Sequence, residues 1–80
     1  MMNKFQDLME AAVPVKVVVD TTADGTPFKA IRGVIVHVGR NYIEVDRSTS
    51  EDEKSKYKID KARVIIPMSR IVEVVYYQSE

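Results

Sequence analysis

A mainly β fold, in which a short N-terminal helix precedes a five-stranded, strongly bent barrel, is what the sequence predicts. Three observations carry that prediction. Valines alternate with other residues through VPVKVVVDTT, residues 13–22, and further short alternating runs recur to the end of the chain. Glycine and turn-forming residues punctuate these runs at close intervals. Lastly, VIIPMSRIVEVVYY, residues 64–77, sets two apolar runs almost back to back, with only Pro67, Met68, Ser69 and Arg70 between them.

The helix is expected over residues 3–12, NKFQDLMEAA, with Asn3 as its cap and Gln6 in the reciprocal position. Phe5, Leu8, Met9 and Ala12 fall on one face at helical spacing. So short a helix does not persist alone in water, so its apolar stripe needs a sheet to cover. Pro14 lacks the donor that a helix interior uses and starts an extended segment.

The first strand, 13–22, puts Val13, Val15, Val17 and Val19 on one face and Lys16, Val18 and Asp20 on the other. Asp24-Gly25 supplies a turn, and Pro27 stands at the near edge of the second strand, 29–39. There Ala30, Val34, Val36 and Val38 oppose Ile31 and Ile35, while Gly33 permits a bend or the close approach of a neighbour. The third strand, NYIEVDR at 41–47, alternates cleanly with Ile43 and Val45 inward. Residues 48–55, STSEDEKS, read as a solvated polar loop. A fourth strand over 56–67 carries a bulge or small turn near Asp60-Lys61. The fifth, 70–77, places Ile71 and Val75 opposite Val72, Val74 and Tyr76.

Eighty residues without a repeat or a shift of composition indicate one domain, 1–80, with a modest core. No cysteine is present, which excludes disulfides and thiolate metal sites and fits a reducing compartment. Twelve basic and twelve acidic side chains cancel, against the basic excess that general nucleic-acid binding uses. With no long apolar run and no secretory core, the expectation is a soluble cytoplasmic protein without membrane contact. Apolar residues on both faces of several strands, notably Val18, Ile31, Ile35 and the last strand, together with two open sheet edges, point to a homo-oligomer, the alternative being a monomer whose N-terminal helix covers the surplus.

The layout resembles the Sm-like family, in its bacterial Hfq branch, through residues 5–47 and again through 63–75. The resemblance rests on FQDL in the helix, VPVKVVV in the first strand, Gly33 in a curved second strand, NYIEVDR in the third, and the closing IIPMSRIVEV. It implies an SH3-like, Sm-like barrel whose subunits pair fourth strand with fifth to close a hexameric or heptameric ring. It also implies binding of single-stranded RNA around the pore. By position the RNA-lining residues of the family fall on Gln6, on Tyr42 with its neighbour Asn41, and on Pro67-Met68. Proline and methionine stand where the family has lysine and histidine, so neither a cation nor a hydrogen-bond donor is offered there. The implied function is a non-catalytic ring-forming module. The alternative is an SH3-like protein–protein interaction or assembly module that binds no RNA.

Residue chemistry supplies the remaining candidates. Tyr42 can stack on a base and Asn41 can read a base edge, although both also suit a strand end and a turn. Arg40 and Arg70 are turn residues able to meet phosphate. Lys54, Lys56, Lys58, Lys61, Arg63 and Arg70 form a locally basic segment, preceded by Glu51-Asp52-Glu53. His37, amid apolar neighbours, reads as a structural or interface residue, with no nucleophile positioned beside it. No phosphate-cradling glycine loop and no metal-ligand spacing occur, so neither an enzyme nor a cofactor is expected.

Overall fold

The computed structural model describes residues 4–22, 25 and 27–77. Helix α1 (Lys4–Glu10) leads into β1 (Pro14–Asp20), β2 (Phe28–Val38) and β3 (Tyr42–Ser48). Helix α2 (Glu51–Tyr57) follows, then β4 (Lys61–Pro67), a 3-10 turn at Met68–Arg70, and β5 (Ile71–Tyr76). All strand pairs are antiparallel, and the five strands lie in the order β4-β3-β2-β1-β5. The sheet is not closed: β4 and β5, consecutive in the chain, form its two opposite edges.

Helix α1 ends where the sequence places a stop. Ala12 turns left-handed at φ 53°, its N–H bonds the Met9 carbonyl at 3.1 Å, and Val13 reaches back to Leu8 at 3.0 Å. This pattern satisfies two terminal carbonyls just before Pro14 opens β1. Leu8 is buried, and Phe5 and Met9 pack beside it against the core. The cap expected of Asn3, and Asp24 of the first turn, lie outside the described residues. Gly25 (φ 83°) donates its N–H to the Thr22 carbonyl at 3.1 Å in that turn.

The core follows the strand alternation. Val15, Val17 and Val19 of β1 meet Ile31 and Ile35 of β2, Ile43 and Val45 of β3, and Ile66 of β4. Ile43 and Val45 are wholly buried, and each such side chain contributes about 1.5–3 kcal/mol of hydrophobic stabilisation. Ile31 and Ile35 therefore do not supply the surplus outer face that the sequence suggested. The exposed apolar groups on the strands are instead concentrated on the edges, with Ile65 on β4 64% exposed and Val72 on β5 57% exposed.

Two bulges explain where simple alternation fails. In β2, Ile35 faces Val45 but His37 faces Glu44, so Val36 is extra. The slip turns His37 out to solvent and lets Val38 pack on the core. In β5, Glu73 faces Val18 whereas Ile71 faces Val19, leaving Val72 over. Ile71 and Val74, expected on opposite faces, both pack against the core as a result.

The segment 48–55 is not a loop. Ser48 still pairs with Lys61 in the sheet, and Glu51–Tyr57 is helical. Ser50 caps α2 by accepting from the Glu53 N–H, while the Glu53 carboxylate accepts from the Ser50 N–H. Acidic Glu51, Asp52 and Glu53 occupy the first turn and Lys54 and Lys56 the last, each sign at the helix end that favours it. The fourth strand accordingly begins at Lys61 rather than at residue 56. Among the described residues, no helix is long and apolar enough to cross a membrane.

Candidate functional surface

Four of the six sequence candidates sit at one end of the sheet. Tyr42 pairs with Pro67, and the Met68 N–H donates to the Asn41 carbonyl at 2.9 Å. The Gly39 N–H donates to the Tyr42 carbonyl at 2.8 Å, which closes the turn holding Arg40 and Asn41. Arg40, Asn41, Tyr42 and Met68 are thus gathered by the β2–β3 turn and the turn after β4. Arg40 and Asn41 are exposed, while Met68 is half-buried and leans on the core.

The Tyr42 ring has a structural task of its own. It lies so close over Gly39 that a Cβ there would meet three of its ring carbons. On the same side His37 approaches it at 5.8 Å between ring centroids, tilted by 38°. The ring remains half-exposed, and an exposed imidazole stands beside it.

Gln6 belongs elsewhere, while Arg70 ends the same 3-10 turn that Met68 begins. Arg70 borders a separate, mainly apolar recess of about 220 Å³, shared with Val19, Ile31, Ile65 and Pro67. Gln6 donates to Glu10 one turn along its own helix, at 3.2 Å. The basic segment is likewise divided, over α2, β4 and the final turn. Within it Lys56 lies 5.5 Å from the centre of the Tyr57 ring, and Arg63 approaches Glu44 at 3.9 Å.

A second region was not singled out by sequence reasoning. β2 and β3 pair from Val38/Ile43 to Val34/Asp46 and then part. Beyond that point Phe28–Gly33 continues along β1, and Asp46–Ser48 continues along β4. An open groove of about 820 Å³ lies between the parted strands, with Lys29, Arg32, Asp46, Arg47 and Lys61 on its walls. Gly33 marks the apex, where a Cβ would collide with the Asp46 carbonyl oxygen and lie 2.8 Å from Val45 Cγ1. The only sequence signal was Gly33 inside a strand, flanked by cations that looked like ordinary surface charge.

Arg47 on one wall is fixed by a two-pronged pair with Glu53, Nη1 to Oε1 at 2.9 Å and Nη2 to Oε2 at 2.8 Å. That pairing, with the Ser50 N–H in second place, holds the Glu53 carboxyl down at about 2, and the same bond raises the Arg47 guanidinium above its ordinary value. Among the described residues no cluster of three or more His, Cys, Asp or Glu is placed to hold a metal ion.

No protein-family model, curated protein or solved structure matches the chain.

Proposed function

We propose that the protein is a non-catalytic, Sm-like assembly module that joins copies of itself edge to edge into a ring. One observation carries the reading. Two consecutive strands, linked by a single 3-10 turn, end on opposite edges of one sheet, each edge with an exposed apolar side chain, Ile65 or Val72. An edge strand offers a row of unpaired backbone groups, and head-to-tail pairing of two different edges generates a ring when the rotation closes. In this reading the sheet is the rolled wall of a small barrel whose gap is completed by a neighbouring subunit.

The turn cluster is the proposed RNA contact. Arg40 and Asn41 are exposed there beside the half-exposed Tyr42 ring, so the surface offers one cation and one stacking group per subunit. Weak, salt-sensitive binding of single-stranded RNA is what so sparse a site supports.

Light scattering coupled to size exclusion tests the assembly. A species several chains in mass is expected, and a strict monomer at tens of micromolar across ordinary salt would overturn the ring. Fluorescence anisotropy with uridine-rich and adenine-rich strands tests the ligand. Tyr42→Ala is expected to weaken binding by roughly 1–3 kcal/mol, the usual worth of one stacked base. Absence of binding at low salt removes the RNA reading and leaves the assembly standing.

A further inference from the structure

We propose that the groove between β2 and β3 captures an acidic, extended peptide as an added β-strand. The backbone makes the first half of the argument. Phe28–Gly33 is paired with β1 on one side only, and beyond the Val34/Asp46 pair Arg47 and Ser48 are paired with β4 on one side only. Two strand segments therefore turn unpaired sides toward a common space. An incoming strand gains main-chain hydrogen bonds from such an edge, while its alternating side chains find separate surfaces.

The walls make the second half. Lys29, Arg32 and Lys61 have no ion-pair partner among the described residues, and among those residues Asp46 is the one groove-lining acid not already held. Arg47 and Glu53 neutralise each other. The balance is cationic, which suits carboxylates and disfavours lysine-rich segments. Ala30 and Val34 supply apolar surface beside the cations. An alternating acidic and apolar strand complements both. Among the described residues no aromatic ring lines the groove, so a nucleic acid would find charge there but no ring on which to stack its bases.

The probe is a fluorescein-labelled Val-Glu-Val-Glu-Val-Glu peptide, measured by anisotropy against the full chain, with oligomeric state read in the same samples. Saturable binding is expected, weakening with salt. The Lys29→Glu/Arg32→Glu double variant is expected to bind at least roughly tenfold more weakly, since like charges then line the site. Alternate N-methylation of the peptide, tested on the unaltered protein, should weaken binding similarly because it removes strand-forming donors. Amide exchange at residues 29–33 should slow when the peptide binds. Equal binding of the N-methylated peptide, undiminished binding by the double variant, or no binding at all would overturn the proposal. So would a decauridylate that occupies the groove with the same Lys29/Arg32 dependence while the peptide does not. A monomeric protein that binds the peptide refutes the ring and leaves this site intact.

Discussion

A single methyl group at Gly33 would be driven into the carbonyl oxygen of Asp46, which belongs to backbone and has nowhere to turn. Gly33→Ala must therefore push β2 and β3 apart at the last rung they share, and a destabilisation of about 1–3 kcal/mol is expected from such overpacking. Urea denaturation followed by circular dichroism reads that loss. An unchanged midpoint would mean that the close approach is not what Gly33 serves. Gly39 differs in kind, because the obstruction there is the Tyr42 side chain rather than main chain. Sequence alone foresaw that Gly33 would sit at a bend or a close contact. It could not name the partner, because Asp46 lies thirteen positions away and meets it only through the β2–β3 register.

Helix α2 hangs from the sheet by a compact set of polar bonds. Thr49 closes its base, donating from its backbone N–H to the Asp60 carbonyl at 3.0 Å and from its hydroxyl toward the Ile59 carbonyl at 2.8 Å. Glu53 ties the helix to Arg47 and to its own cap. Its carboxyl titrates at about 2 in the folded chain against an ordinary value of 4.5. A depressed carboxyl favours the fold above the unfolded value and loses that contribution as protons are added. The α2 excursion is thus expected to loosen as pH falls from about 4.5 toward about 2, seen as a loss of protection at the Lys54 and Lys58 amides relative to their intrinsic exchange rates at each pH. Glu53→Gln should have low protection at these amides already at neutral pH and lose that acid dependence. Retained acid sensitivity in the variant would assign the loosening to another group. The capping box Ser50–Glu53 was present in the sequence, yet an acidic stretch without apolar period reads as a loop, because nothing buries this helix. The strands were legible for the opposite reason: Val15, Val17, Ile43 and Val45 write their burial directly as alternation. The bulges at Val36 and Val72 were not, since only the paired strand decides which residue is skipped.

For the whole molecule, two unlike edges make a sharper prediction than aggregation in general. Ile65→Lys disables the β4 edge and Val72→Lys the β5 edge, each by placing charge on a strand that must be approached by another. Either variant alone should be monomeric in light scattering. Mixed in equal amounts they should form dimers and nothing larger, through the one intact edge that each retains. Monomers in the mixture would refute pairing of β4 with β5. The end-of-sheet cluster was partly legible in the sequence, because Tyr42 and Met68 are brought together by the β3–β4 ladder, whereas Gln6 looked equivalent to them only along the chain and Arg70, on the same turn as Met68, borders the apolar recess. The strand order also dictates a timetable. β1–β2, β2–β3 and β3–β4 join segments that are near one another in sequence, but β5 returns to β1, bringing Tyr76 beside Val15. Pairings across so long a loop form slowly, and during synthesis this one cannot begin until β5 itself has emerged. Of these five strands β1 is made before the rest yet gains its second neighbour last, and until then Val17 and its neighbours stand on an open edge of their own.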